Sequence, residues 1–140
     1  MPFAVRSLPL LIIPTVIYAL IALPMGADGV KGVLEAPLFS VRMPSGDAWS
    51  PQWGHLLMTV AAILLFFEIV RSSNPVNSSI VENALSFLLF TVQLVFFLLV
   101  AGFGTNHFAM IMGMTLMDFM AGAMVMVGAA RRDVSYNVAP

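Results

Sequence analysis

Asp118 and Gln93 are the polar side chains in this sequence with the clearest potential for chemistry, because each lies deep within a long apolar run. A charged residue at the centre of a membrane span costs about 2.5–3.5 kcal/mol on insertion scales, so each one needs a function or a sheltering partner. At 1.5 Å per residue, Asp118 lies about 18 Å from the ends of its run, and Gln93 about 19–20 Å from Ile80. The matched depths predict a hydrogen bond between the two side chains. The alternatives are a carboxyl that binds an ion or a proton, and a contact with another subunit.

Helical periodicity predicts that both residues face the interior of a helix bundle, since each shares a face with the other polar residues of its segment. The face of Asp118 also carries His107, Ile111, Thr115, Gly122 and Ala129, and the face of Gln93 carries Glu82, Ser86 and Val100.

His55 and His107 lie about one turn inside the same ends of their segments. Two neutral imidazoles at matched depth can hold a haem iron, and a quinone or pigment can bind beside them. The alternative is that each histidine hydrogen-bonds to nearby loop backbone. We therefore predict no cofactor and keep haem as an alternative.

Two carboxylates have expected structural roles. Glu68 and Arg71 have the i,i+3 spacing of an ion pair, which we expect at headgroup depth with the carboxylate reaching toward water. Glu68 is expected on the face opposite His55. Ser79 and Glu82 have the spacing of a helix capping box.

The last apolar run has a surface suited to contact with another helix. Met110, Met114, Met117 and Met124 form one stripe, and Ala109 and Gly113 have the small-x-x-x-small spacing that permits close helix packing. The stripe predicts a packing surface; a copper pathway, which would use such thioethers, is the alternative.

Four apolar runs position all of these residues. Hydrophobic residues make up 60% of the 140 residues and charged residues 9%, whereas a soluble domain of this size needs more polar surface. The chain is predicted to be an all-α membrane protein, a single antiparallel bundle of four transmembrane helices over residues 1–140. The spans are expected at about 7–24, 52–70, 80–101 and 106–130.

The longest connection, residues 25–52, contains a turn signature at Pro44–Asp47 between two short extended stretches. It predicts a short hairpin or flap on the outer face, with Trp49 and Trp53 at headgroup depth. The hairpin is expected to be an ordered lid; a docking surface for a partner is the alternative.

Charge and cysteine content limit the kinds of ligand and chemistry open to this protein, and the arginines indicate its orientation in the membrane. The net charge of -1 without a basic cluster argues against nucleic-acid binding, and the absence of cysteine excludes disulfides and thiolate chemistry. Arg6, Arg71, Arg131 and Arg132 would share one side of the membrane, which predicts that both termini are cytoplasmic.

Four short strings in the sequence form a recognisable set, namely Leu38–Gly46, Phe66–Arg71, Asp118–Gly122 and Ala130–Asp133. Together they resemble a group of small four-span membrane proteins of alphaproteobacteria. The resemblance implies a bacterial inner membrane and implies that Asp118 and Glu68 belong to the recurring pattern. It implies no activity.

The sequence favours a non-catalytic accessory or assembly subunit of a larger photosynthetic, respiratory or transport complex, in contact with lipid and with other membrane subunits or copies of itself. A small proton or ion channel or carrier centred on Asp118 is the first alternative, and a haem- or quinone-binding redox subunit is the second. An enzyme is not predicted, because the sequence has no Ser-His-Asp arrangement and no HExxH motif.

Overall fold

Four long apolar helices packed against each other dominate the structure, a computed structural model that describes residues 8–72 and 80–137, with side chains described up to Arg131. All four are long and apolar enough to cross a membrane. The predicted all-α membrane-type bundle is therefore confirmed. The helices are α1 Ile12–Leu34, α2 Trp53–Ser72, α3 Ile80–Leu99 and α4 Asn106–Asn137.

The first helix is longer than the sequence predicted, because it continues past residue 24 to Leu34. Its backbone breaks at Gly26, whose φ of 66° is a left-handed conformation that glycine adopts without steric cost. Pro24, two residues earlier, lacks the amide that would continue the helical ladder. The segment beyond the break is amphipathic and buries Val30 and Leu34, so it caps the bundle instead of forming part of a loop.

The predicted hairpin is present in the connection between α1 and α2. Strands β1 (Val41–Arg42) and β2 (Ala48–Trp49) pair antiparallel, with Val41 opposite Trp49. Gly46 has a φ of 94° in the turn between them. The bridge between Pro37 and Gln52 closes the hairpin one residue before α2 begins. The hairpin therefore lies next to the first turn of α2.

The apolar core lies at the end of the bundle that carries this hairpin, hereafter the hairpin end. Tyr18, Phe103 and Phe108 are fully buried and their rings contact one another. The Tyr18 hydroxyl donates to the Gly102 carbonyl at 2.8 Å and shares a hydrogen bond with the Thr105 hydroxyl. The aromatic cluster thus fixes α1 to the short α3–α4 connection.

Gly102 sits where this connection touches the break in α1. Its φ is 91°, and a Cβ atom there would lie 3.2 Å from the Gly26 carbonyl carbon. Glycine is therefore required at position 102 both for its conformation and for the close approach of two backbones.

Candidate functional site

Two buried carboxylates lie together at the opposite end of the bundle, hereafter the Arg71 end. Glu68 on α2 is 3% exposed and Asp118 on α4 is 4% exposed. Glu68 continues the buried stripe of Gly54, Leu57 and Ala61 because these residues are spaced by three, four and seven positions. The expectation that Glu68 reaches toward water is wrong, since the interior of the bundle covers it.

Two contacts hold the Glu68 carboxylate, one within α2 and one with the residues before α1. Its Oε1 accepts a hydrogen bond from Arg71 Nη2 at 3.1 Å, which confirms the predicted ion pair. Its Oε2 accepts the backbone amide of Leu10 at 2.8 Å, just before α1 begins. Glu68 therefore joins the start of α1 to the end of α2. His55 and Thr59 are exposed on the other side of α2, as predicted.

Asp118 is hydrogen-bonded to Ser86 and not to Gln93. The Ser86 hydroxyl on α3 donates to Asp118 Oδ2 at 2.7 Å, and both residues are buried. Gln93 is also buried, but its Nε2 donates to the Thr15 hydroxyl on α1 at 2.7 Å. The predicted hydrogen bond between Gln93 and Asp118 is therefore wrong, although both helical faces point inward as expected.

The connection between α3 and α4 explains this difference, because it fixes the register of the two antiparallel helices. Gln93 lies six residues before Leu99, about 9 Å from the end of α3, whereas Asp118 lies about 18 Å from Asn106. Ser86 lies about 19–20 Å from Leu99 and so reaches the level of Asp118. Counting residues from the α3–α4 connection would have identified Ser86 as the partner of Asp118. Counting from the opposite ends of the two apolar runs pointed to Gln93 instead.

The two carboxylates line a cavity of about 20 Å³ at the Arg71 end. About 10–15 Å³ suffices for one water molecule, so the cavity is a polar pocket of roughly that size. Two atoms beside it, Arg71 Nε and Asn83 Oδ1, are buried without a hydrogen-bond partner among the residues that the structure describes. The cavity is lined by Glu68, Arg71, Ser72, Glu82, Asn83, Ser86 and Asp118, hereafter the carboxylate pocket.

Close packing between α3 and α4 sets the wall of the carboxylate pocket. A Cβ atom on Gly122 would lie 2.6 Å from Asn83 Oδ1, so the missing side chain at position 122 makes room for the Asn83 amide. Gly122 is one turn from Asp118 on the same buried face. Sequence reasoning found this face but missed Ser86, Asn83 and Thr15 as partners, because short polar side chains give little signal without knowledge of the register.

The structure places the two histidines at the hairpin end in ordinary structural contacts. His55 is exposed, and its Nδ1 accepts the backbone amide of Gln52 at 3.1 Å. The His107 ring is partly buried and lies against Gly54, where a side chain would overlap its imidazole. Haem or quinone binding at His55 and His107 stays an untested alternative.

The methionine face of α4 points away from the described helices. Met110, Met117 and Met124 are between 53% and 68% exposed, while Met114 and Ala109 are partly buried. A Cβ atom on Gly113 would meet nothing within 4 Å. The predicted close helix approach at Ala109 and Gly113 therefore does not occur within the described chain, and the face is left to lipid or to another protein.

Trp49 and Trp53 are each 50% exposed beside the hairpin end. The Phe39 ring packs edge-on against Trp49 at 5.5 Å, so the hairpin has a small aromatic cluster of its own. Both indoles lie where the chain enters α2, and their depth at the headgroups stays a prediction.

Two expectations lie outside the described residues, namely the capping contribution of Ser79 and the position of Arg6. Comparisons with protein-family models, with curated proteins and with solved structures found no match. The fold and the site together define a class: a multi-pass α-helical membrane protein with a small polar pocket between three of its spans.

Proposed function

We propose that this chain binds a proton or a small cation in the carboxylate pocket and acts as a small carrier or conductor in the membrane. One observation carries the proposal: Glu68 and Asp118, both nearly inaccessible, line one cavity within the spans. Buried ionisable groups in spans are costly, and they commonly mark ion and proton pathways.

Charge balance within the carboxylate pocket supports the proposal. The Arg71 guanidinium is bonded to Glu68, whereas the hydrogen-bond partner of Asp118 is the neutral Ser86 hydroxyl. A buried carboxylate whose hydrogen-bond partner is neutral gains most from a bound cation or proton, because bulk water does not reach it.

Polar side chains also continue from the carboxylate pocket toward the hairpin end. Thr115 lies one turn from Asp118 on α4, the Gln93–Thr15 hydrogen bond follows, and Tyr18 with Thr105 lies at the far end. Thr115, Gln93 and Tyr18 are at most 1% exposed. Polar groups at these levels favour passage of a small cation, because they offer hydrogen-bonding atoms inside an otherwise apolar bundle.

The test is ion movement in vesicles that contain only the purified chain. Under an imposed membrane potential, these vesicles should take up protons or monovalent cations faster than protein-free vesicles prepared identically. Equal rates in the two preparations would overturn the proposal.

An accessory subunit of a larger membrane complex is the second candidate, and the methionine face of α4 favours it. Open space over Gly113, flanked by exposed methionine side chains, suits close approach of a partner helix. The partner would be another membrane subunit or a second copy of this chain.

We expect that mild-detergent extracts of native membranes contain the chain in a particle larger than a single 15.1 kDa protomer. Gly113→Phe fills the open space and should release the single chain, because a large side chain prevents close helix approach. Leu98→Phe on the exposed face of α3 is the matched control and should leave the particle intact. Native mass spectrometry reads the result, and a parent protein that runs alone would count against an obligate partner.

We further propose a bacterial inner membrane as the location, with both termini cytoplasmic. The distribution of arginine supports this orientation, since Arg71 and Arg131 lie at the end of the bundle opposite the hairpin. The hairpin would then face the periplasm.

The lack of cysteine in the chain allows a clean test of this orientation. In spheroplasts, Ser45→Cys in the hairpin turn should react with a membrane-impermeant maleimide. Asn77→Cys, in the connection between α2 and α3, should react only after the membrane is permeabilised. The reverse labelling pattern would show that the proposed orientation is inverted.

A further inference from the structure

We infer that the carboxylate pocket takes a proton and not a metal cation, and that one water molecule bridges its walls. This inference rests on the proposed function and specifies its ligand. Two polar atoms beside the carboxylate pocket, Arg71 Nε and Asn83 Oδ1, have no hydrogen-bond partner among the described residues.

The two unpaired atoms need opposite kinds of partner. Arg71 Nε carries a hydrogen that needs an acceptor, whereas Asn83 Oδ1 is an acceptor that needs a donor. A water molecule accepts from one and donates to the other, and the cavity volume of about 20 Å³ fits one. A metal cation would satisfy Asn83 Oδ1 but would leave Arg71 Nε–H facing a positive charge.

The second oxygen of Asp118 is available to the same water molecule. Its Oδ2 accepts the Ser86 hydroxyl, and no described residue donates to Oδ1 within hydrogen-bond distance. The water therefore places a donor beside Asp118, whose described hydrogen-bond partner is the neutral Ser86 hydroxyl. Protonation then converts the Asp118 carboxylate to a neutral carboxyl, which changes the charge of the carboxylate pocket by one unit.

The remaining charged groups also disfavour a metal ion. Glu68 is held by Arg71 and by the Leu10 amide, and Glu82 on α3 completes the titratable groups that line the cavity. Among the described residues, no three His, Asp or Glu side chains are grouped so that they could hold a metal ion. Na⁺ and Mg²⁺ need several oxygen ligands arranged around them, and the guanidinium occupies part of that space.

The first experiment compares ions in vesicles that contain the purified chain. Internal acidification, read by a trapped pH dye, should be the same when external Na⁺ is replaced by K⁺ or by choline. Uptake of radioactive Na⁺ should not exceed that of protein-free vesicles. Cation flux that follows Na⁺ and stops in choline would overturn the inference while leaving the proposed function intact. Absence of all flux would instead overturn the proposed function.

A binding measurement on the purified protein keeps the inference testable without flux. Infrared difference spectra on raising pH should lose a protonated-carboxyl band, and this band should be missing in Asp118→Asn. Added Na⁺ at fixed pH should leave the band unchanged in the parent protein. A band that Na⁺ displaces, or one that persists in Asp118→Asn, would overturn the inference.

Discussion

Asp118→Asn is expected to lower cation or proton flux through the purified chain by about tenfold or more, because the amide removes the group that binds the cation or proton. Tenfold corresponds to a loss of about 1.4 kcal/mol in binding. The amide of asparagine is nearly the same size as the carboxyl and can still accept the Ser86 hydroxyl. It cannot carry charge or bind a proton at neutral pH. The substitution therefore removes the proposed function and keeps the α3–α4 contact.

The matched control is Asp47→Asn, which makes the same chemical change in the hairpin turn. Asp47 is exposed, and its side chain contacts only Ser45 among the described hydrogen bonds. Flux in this variant should equal that of the parent protein, measured by vesicle uptake at equal protein content. If Asp118→Asn also equals the parent, the carboxylate pocket does not transport ions, and the accessory-subunit proposal gains by elimination.

The fold was largely predictable because lipid, as the solvent, strongly restricts how a backbone can satisfy its hydrogen bonds. A backbone in lipid must satisfy its own hydrogen bonds, so each apolar run of sufficient length becomes a helix. The second and third helices accordingly begin at Trp53 and Ile80, within one residue of the prediction. The extension of α1 to Leu34 was missed because Pro24 and Gly26 together look like a helix end. What continues the helix is burial of Val30 and Leu34, a tertiary effect.

The candidate site was predictable only in part, for a related reason. Periodicity alone placed Asp118 and Gln93 on interior faces, since a face depends only on spacing along one helix. Which residues meet depends on the relative register of two helices, and this register follows from the connection between them. The burial of Glu68 was not predicted, because a carboxylate near the end of an apolar run is expected to reach water. In the structure, the residues before α1 cover Glu68, and the Leu10 amide donates to it.

Glu68→Ala should produce the largest loss of stability among single substitutions at the site. The change removes the partner of Arg71 and leaves the Leu10 amide without its acceptor. Removing one member of a fully buried ion pair costs about 3–5 kcal/mol. The Arg71 side chain is 31% exposed, so water partly solvates its charge once Glu68 is gone, and we expect a loss at the low end of that range, about 3 kcal/mol. The start of α1 would also lose its described side-chain link to the end of α2. Equilibrium unfolding in mixed detergent micelles, followed by tryptophan fluorescence, measures the change in the free energy of unfolding.

Two further variants separate the ion pair from the other effects of the Glu68 substitution. Glu68→Gln keeps an oxygen for the Leu10 amide but loses the charge, so we expect a loss smaller than that of Glu68→Ala, about 1–3 kcal/mol. Glu35→Ala removes an exposed carboxylate just past the end of α1 and should change stability by less than about 0.5 kcal/mol. If Glu68→Ala unfolds at the same detergent composition as Glu35→Ala, Glu68 does not hold α1 against α2. The buried contacts to Arg71 and Leu10 would then contribute nothing measurable to the bundle.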